Sequence, residues 1–216
     1  MNSCSEKMKA ILGTKVGMTQ IFNQNGEVLP VTVISAGPCY VVRKKNTESD
    51  GYDAIQIGYQ EKKKNVNHPE QGYFTKYGVK PLKFLKEFRI EESEIPNLQE
   101  GQEIKVNIFS PGEYVDIFGK VKGRGFTGVV KRHGFAGGPK THGQSDRLRA
   151  PGAIGSQQPQ RVKKGTRMAG RMGGNQVAIK NLQIVQVDPK NNLLLIKGAV
   201  PGPKKGLLII KESIKK

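Results

Sequence analysis

Hydrophobic residues recur in short runs along most of the chain, and glycine, proline and asparagine separate the runs. Residues 53–60 (DAIQIGYQ) alternate apolar and polar positions, which is typical of a strand with one buried face. Residues 9–22 predict two brief strands, and residues 28–45 predict a strand pair divided at Gly37 and Pro38. The pattern indicates a chain of short strands joined by frequent turns.

The same pattern continues towards the C-terminus, with one interruption. Further strands are predicted for residues 83–90, 102–109, 113–121, 177–187, 192–200 and 207–213. A short helix is predicted for residues 72–79, after a polar loop. Many short strands with few helices favour a mainly β fold, either a β-barrel or a similar small β domain.

The interruption is residues 119–175, which contain fourteen of the 27 glycines and few large aliphatic side chains. Such a segment cannot bury enough apolar surface to offset the entropy lost on ordering, so it has no core of its own. It follows one predicted strand and precedes another. We therefore expect an insertion anchored at both ends, which a partner outside the chain must order.

The charge of the chain indicates what that partner is. The formal net charge is +18, yet residues 1–118 are neutral, residues 119–175 carry +12 and residues 176–216 carry +6. Residues 119–175 hold thirteen Lys and Arg but a single acid, Asp146. This asymmetry indicates a polyanion site. Nucleic acid is favoured over a membrane surface, because the glycines prevent a long amphipathic helix.

Arginine and lysine in the second half of this segment give the strongest indication of RNA binding. The arginine fork matches phosphate oxygens, and the intervening glycine and proline let the backbone follow an irregular surface. The residues concerned are Arg147, Arg149, Arg161, Lys163, Lys164, Arg167 and Arg171. Phe126 and Phe135, which lie among basic residues, either stack on unpaired bases or form a local apolar contact.

Other motifs in the chain give weaker indications. Gly123, Gly125 and Gly128 form a GxGxxG motif, but dinucleotide binding also needs a helix directly afterwards, and the glycines that follow shorten any helix there. His133 and His142 lack Cys, Asp or Glu neighbours that could complete a metal shell.

The beginning of the chain and its cysteines bear on location. Cys4 and Cys39 have no metal-binding or redox spacing and are expected to be reduced thiols in a cytosol-like compartment. The first ten residues have no hydrophobic signal region, so secretion is not expected. No apolar stretch approaches the roughly 20 residues that span a bilayer.

Six sequence stretches, in the same order, resemble the ribosomal protein L3 family of the large subunit in its bacterial or organellar form. They are GTKVGMTQIF, KGRGFTGVVKRHGF, GGPKTHG, RAPGAIG, MAGRMGG and NLLLIKGAVPGPKKG, and the resemblance runs from about Met8 onward. It implies a translation-protein type β-barrel with a long irregular basic central extension. The implied division is a tail (1–8), a barrel domain (9–118 with 176–212), the extension (119–175) and a basic tail (213–216).

The resemblance also implies a function. The chain is expected to be a structural constituent of the large ribosomal subunit, without enzymatic activity, cofactor, metal or small-molecule substrate. It would bind large-subunit rRNA near its 3′ region, nucleate early assembly and extend its basic loop towards the peptidyl transferase centre. Its partners would be the rRNA and neighbouring ribosomal proteins rather than a membrane. Its location would be the cytoplasmic ribosome, with an organellar ribosome as the alternative.

Carried over to this sequence, the resemblance implies an rRNA-binding set of basic residues. The set is Lys120, Lys122, Arg124, Lys131, Arg132, His133, Lys140, His142, Arg147, Arg149, Arg161, Lys163, Lys164, Arg167 and Arg171. Val121 stands where the family usually has Ser or Thr, so one hydroxyl contact is expected to be missing. Gln158 matches a glutamine that some relatives methylate on its side-chain amide, although its flanking residues differ.

Two other functions compete with this one. A dinucleotide-binding enzyme built on the GxGxxG motif would bind its cofactor with little dependence on the other basic residues. A general nucleic-acid chaperone would bind any RNA with comparable affinity. The neutral charge of residues 1–118 favours a module that docks through one defined polyanion face.

Overall fold

The computed structural model describes residues 9–23, 25–90, 99–158 and 160–213. The chain forms two compact units, one made of the residues up to Lys120 and from Gln176 onward, the other of Val121–Asn175. The predicted tail of residues 1–8, including Cys4, and residues 214–216 of the second predicted tail lie outside the described residues.

Most of the regular structure is strand, so the predicted mainly β class is confirmed. The described strands, in chain order, are β1 (Ala10–Phe22), β2 (Val28–Ala36), β3 (Cys39–Lys45), β4 (Ala54–Glu61), β5 (Leu82–Arg89), β6 (Glu103–Ile104), β7 (Tyr114–Lys120), β8 (Phe126–Thr127), β9 (Gly170–Arg171), β10 (Gln176–Asp188), β11 (Leu193–Lys197) and β12 (Leu207–Glu212).

Six strands of the first unit close into an antiparallel barrel. Their order is β1, β12, β7, β10, β11 and β2, and β2 pairs back onto β1. A second sheet has the order β5, β4, β3 and β6. The barrel has no free edge, because each of its strands has a hydrogen-bonded neighbour on both sides.

The described helices are short. They are α1 (Thr47–Asp50), α2 (His68–Lys76), α3 (Val129–His133) and a single 3-10 turn at Val106–Ile108. Within the described ranges, no helix has the length and apolar character needed to cross a membrane.

A continuous aliphatic core fills the barrel and extends to the second sheet. Its fully buried members from the barrel strands include Ile11, Leu12, Ile34, Ile117, Leu194, Ile196 and Ile210. Ile55, Ile57 and Phe88 of β4 and β5 belong to the same core. A smaller cluster around Val42 and Phe74 packs α2 against the second sheet. Ile55, Ile57 and Tyr59, alternate apolar positions of residues 53–60, all belong to this core, as the sequence pattern predicted.

Two strand predictions at the start of the chain are wrong in detail. Residues 10–22 form one strand, not two, and a register shift between Lys15 and Gly17 absorbs the glycine-rich interruption as a bulge. The strands β2 and β3 exist as predicted but do not pair with each other. The turn at Gly37, whose φ is 83°, and Pro38 directs β3 into the second sheet instead.

Two further predictions are corrected in the same unit. Residues 102–109 form only the two-residue β6 before the 3-10 turn, because the tighter repeat of that turn lets Val106 and Phe109 both reach the core. The predicted helix begins at His68, not at residue 72. Asn67 and Glu70 form a capping box there, within the stretch assigned to a polar loop.

Strands β7 and β10 flank the second unit in sequence and are partners in the barrel. Lys120 pairs with Gln176, so the chain leaves and re-enters the barrel at adjacent positions. The register of this pair shifts between Ile179 and Leu182, and the carboxylate of Asp116 accepts a hydrogen bond of 2.9 Å from the amide of Asn181 at the shift. That bond satisfies a backbone donor within the bulge.

The thiol of Cys39 is buried at the start of β3. Its Sγ donates to the carbonyl oxygen of Leu12 at 3.4 Å, and burial raises the pKa of this thiol to about 12. At neutral pH the residue is therefore a protonated, apolar part of the core.

The buried Val31 and the exposed Val28 lie on the same strand, β2, and allow a matched test of how much side-chain burial stabilises the first unit. Val31 is fully buried, whereas Val28 is 52% exposed. We expect Val31→Ala to lower the free energy of unfolding by about 1.5–3 kcal/mol. The change Val28→Ala should stay within about 0.5 kcal/mol. Urea unfolding followed by circular dichroism measures both, and equal losses would contradict the assigned core.

Candidate nucleic-acid interface

The two arms of the second unit are joined by backbone hydrogen bonds where they enter and leave it. The amide of Val121 donates to the carbonyl of Asn175 at 2.9 Å. Further along, the amide of Arg124 donates to Met172, and that of Met172 donates to Gly125, both at 2.9 Å. The strands β8 and β9 then pair directly. This arm ladder fixes the base of the segment without a hydrophobic core.

The close approach of the arms depends on a glycine. Gly173 has a φ of 73°, and a Cβ at this position would lie 2.2 Å from the carbonyl oxygen of Lys122. A larger residue would therefore face both an unfavourable backbone conformation and a clash with backbone atoms. The glycine content that looked like simple flexibility in the sequence is required here by contact between the arms.

Helix α3 follows the ladder and ends after little more than one turn. Gly128 precedes it, and Gly134, with a φ of 75°, terminates it by donating its amide to Val130. The helix is thus only five residues long. The GxGxxG motif lacks the long helix that a dinucleotide site requires, and its third glycine serves as the helix N-cap.

The C-terminal end of α3 holds the returning arm. Arg132 Nη1 donates to the carbonyl oxygen of Met168 at 2.7 Å, and His133 Nε2 lies 3.1 Å from the same oxygen. A Cβ on Gly170 would lie 2.6 Å from Arg132 Nη1, so the small residue makes room for the guanidinium. Two side chains expected to touch rRNA are therefore engaged with the protein's own backbone.

Beyond α3 the segment is built from turns. The amide of Gly138 donates to Leu148 at 3.0 Å, and Thr166 Oγ1 donates to the carbonyl oxygen of Lys163 at 2.7 Å. Of the described residues of the second unit, only Thr127 and Val129 are buried. The backbone is thus shaped by local hydrogen bonds, while nearly all side chains face solvent.

The predicted interface residues are exposed with two exceptions, the half-buried Arg132 and His133. The exposed residues are Lys120, Lys122, Arg124, Lys131, Lys140, His142, Arg147, Arg149, Arg161, Lys163, Lys164, Arg167 and Arg171. Lys120 belongs to the first unit, as the last residue of β7. The ion pair between Arg147 and Asp146, at 3.5 Å, is about 80% exposed on both sides and neutralises one cation weakly.

The two phenylalanines of the segment lie in different environments. Phe126 is 81% exposed, so the predicted local apolar contact is wrong for this residue. The ring of Phe135 lies 6.0 Å from that of His133 and is half-buried, in agreement with a local contact. Only Phe126 presents its ring freely to an outside partner.

The sequence model of the family described as Ribosomal protein L3 matches residues 92–192. The chain is 56% identical over 208 residues to the large ribosomal subunit protein uL3 of Natranaerobius thermophilus, a match that covers 96% of this chain and 98% of the relative. It is 51% identical over 210 residues to uL3 of Syntrophomonas wolfei, with 97% and 98% covered. The chain belongs to the ribosomal protein L3 family. The resemblance seen in the sequence is confirmed.

The L3 match includes all of the second unit, so the exposed basic segment is part of the family pattern. Sequence reasoning on this L3 chain missed the contact of Arg132 and His133 with Met168. Both side chains contact a backbone carbonyl oxygen about 35 residues further along the chain. A pattern of side chains in the sequence does not reveal such a contact. Within the described ranges, no group of His, Cys, Asp and Glu could hold a metal ion.

The contact of Arg132 with Met168 can be tested in the free protein. We expect Arg132→Ala to raise amide exchange at Met172 and Gly174 by about tenfold, because a charged hydrogen bond that opposes opening of the arms is lost. Hydrogen–deuterium exchange read by NMR measures this. The neighbouring Lys131 is exposed, and Lys131→Ala should leave exchange unchanged. Unchanged protection in Arg132→Ala would show that the contact does not hold the arm.

Proposed function

We propose that this L3 family chain is a structural constituent of the large ribosomal subunit and binds large-subunit rRNA through Val121–Asn175. One observation carries the proposal: a segment with a dozen Lys and Arg and one acid buries only two of its described residues. A surface of this kind gains stability from a polyanion that supplies countercharge and contact area. The relatives' name, large ribosomal subunit protein, supports the assignment of that polyanion.

The proposed mechanism is neutralisation of converging phosphates. RNA helices repel one another through their backbones, and they pack once arginine and lysine side chains lie between them. Arg147, Arg149, Arg161, Arg167 and Arg171 offer planar forks that bind two phosphate oxygens at once. In this proposal the chain is not catalytic, and its basic side chains act by charge and position alone.

The finer part of the proposal concerns where the segment binds. It places the contact near the 3′ region of the large-subunit rRNA, early in assembly, with the basic loop directed towards the peptidyl transferase centre. The resemblance to the family supports this location. The arm ladder supports early binding, since an insertion fixed at both ends samples fewer conformations before it binds. The proposed compartment is the cytoplasm or an organelle, within the ribosome.

Crosslinking of the native protein to RNA in cells, with high-salt washes and sequencing, tests the function. We expect reads concentrated in one region of the large-subunit rRNA. Reads scattered over many RNAs would indicate a general nucleic-acid chaperone, and recovery of no RNA would contradict the proposal as a whole.

The salt dependence of binding separates the basic segment from the rest of the surface. Lys163 and Lys164 lie in the segment, whereas Lys63 and Lys64 form an equally exposed pair in the first unit. Log affinity falls with log salt, and each lost phosphate contact reduces the steepness of this fall by about 0.7–0.9. We therefore expect Lys163→Gln with Lys164→Gln to lower the slope by about 1.4–1.8, as measured by filter binding to an rRNA transcript.

The matched control is the variant Lys63→Gln with Lys64→Gln. It removes the same charge from the protein and should leave the slope unchanged. An equal fall in slope for both variants would show that binding reflects overall charge rather than the basic segment.

Gln158 remains the proposed methylation site of the segment. The residue is exposed, and its carbonyl oxygen accepts a hydrogen bond from Ser156 Oγ. Its side-chain amide is therefore accessible to a modifying enzyme. Mass spectrometry of the native protein should show a peptide containing Gln158 heavier by one methyl group. An unmodified peptide from assembled ribosomes would contradict the proposal.

A further inference from the structure

Phe126 is the most exposed large apolar side chain among the described residues, at 81%. A single exposed hydrophobic residue is ordinary on a protein surface, so exposure alone indicates nothing. What sets Phe126 apart is its position within the basic segment, on a short strand pair of defined geometry. These neighbours determine the kind of partner that the ring can accept.

The ring is directed outward by the alternation of strand β8. Thr127, the next residue, is buried, and its hydroxyl lies 3.4 Å from the carbonyl oxygens of Arg124 and Gly125. Successive side chains of a strand point to opposite faces, so Phe126 faces away from the protein. The paired backbone of β8 therefore sets the direction of the Phe126 side chain.

A guanidinium lies on the same face as the ring. Phe126 is the direct cross-strand partner of Arg171 in the pair β8–β9, and directly opposed residues share one face of a sheet. A Cβ on Gly174 would lie 3.4 Å from Arg171 Nη2, so this glycine leaves room for the guanidinium. The strand pair therefore carries an aromatic ring and an exposed cation on one face.

We propose that Phe126 stacks on an unpaired nucleobase of the bound RNA while Arg171 binds the phosphate next to that base. The inference rests on the proposed function and deepens it, because it assigns one base contact within a surface otherwise suited to phosphates. Proteins bind single-stranded nucleic acid with this arrangement, in which the aromatic ring stacks on a base and the arginine binds the backbone phosphate. The single acid of the segment, Asp146, is paired with Arg147, so no described carboxylate of the segment contacts the ring or Arg171 to repel that phosphate.

The arm ladder makes this contact favourable. Backbone bonds of 2.9 Å join Arg124 to Met172 and Met172 to Gly125 immediately before β8. The strand that carries the ring is therefore ordered before RNA arrives, so stacking costs no further backbone entropy. The distal turns of the segment, residues 137–169, carry cations but no Phe, Tyr or Trp.

The test compares variants of the full chain in binding to a large-subunit rRNA transcript. Phe126→Leu keeps an apolar side chain but removes the aromatic face. We expect its affinity to fall by about 5- to 150-fold, with the salt slope unchanged because no charge is lost. Phe126→Tyr should restore binding to within a few-fold of the original. Chemical probing should show one unpaired nucleotide that is protected by the original protein and by Phe126→Tyr, but not by Phe126→Leu.

Phe22→Leu is the matched control. Phe22 is 70% exposed on β1, and the nearest basic residues along the chain are Lys15 and Arg43. This variant should bind the transcript as tightly as the original protein. Thermal unfolding of both leucine variants should match the original, since neither ring is buried.

The outcomes separate this inference from the proposed function. If the original protein shows no preference for the transcript over unrelated RNA, the proposed function fails. If the original binds but Phe126→Leu binds equally well, only the stacking inference fails. A loss that Phe126→Tyr does not reverse would also overturn stacking. Phe126→Leu can also be tested for incorporation into the subunit in the presence of purified ribosomal proteins. If this variant binds the transcript normally but is not incorporated, the ring contacts a protein instead of RNA.

Discussion

The ladder of backbone hydrogen bonds between the two arms of Val121–Asn175 is the interaction on which the exposed basic surface depends. Side chains that carry so much like charge repel one another, and this unit has almost no buried apolar surface to oppose the repulsion. Backbone N–H and C=O groups carry no net charge, so the hydrogen bonds between them do not add to this repulsion. They hold the arms together where a hydrophobic core is missing. Arg132 reinforces them, because its guanidinium donates a hydrogen bond to the carbonyl oxygen of Met168.

The two units therefore obtain their order in different ways. The first closes a barrel around isoleucine, leucine and valine, and this barrel has no free edge. The second satisfies its backbone locally and leaves its side chains available. Because β7 and β10 are paired neighbours, the first unit presents the start and end of the second at a fixed spacing. The buried core and the exposed charge thus lie in separate parts of one chain.

Sequence reasoning succeeded where a local pattern carries the physical cause. Short apolar runs bounded by turn residues predicted most barrel strands, and clustered charge with glycine predicted an exposed basic segment. It failed where the cause lies elsewhere in the chain. Nothing within residues 102–109 shows that Val106 and Phe109 both reach the core, and nothing within β2 or β3 shows that they belong to different sheets. The capping box at Asn67 and Glu70 was a local signal that was overlooked.

The candidate site divides in the same way. Composition identified the cations, but it could not distinguish Arg132, which turns inward to a carbonyl oxygen, from Arg149, which stays exposed. Nor could it decide between the two roles weighed for Phe126. That choice depends on which of the two residues of β8, Phe126 or Thr127, faces the protein, and only the paired backbone determines it.

The pairing of β1 with β12 has a consequence for the order of events during synthesis. Ala10 is opposite Lys211, so neighbours in the barrel are separated by almost the whole length of the chain. A growing polypeptide cannot complete this barrel until its last strand has left the ribosome that makes it. By then the basic segment has already emerged. The barrel's late closure leaves an interval in which this charged segment is exposed before the first unit has folded, and topologies with such distant contacts fold slowly.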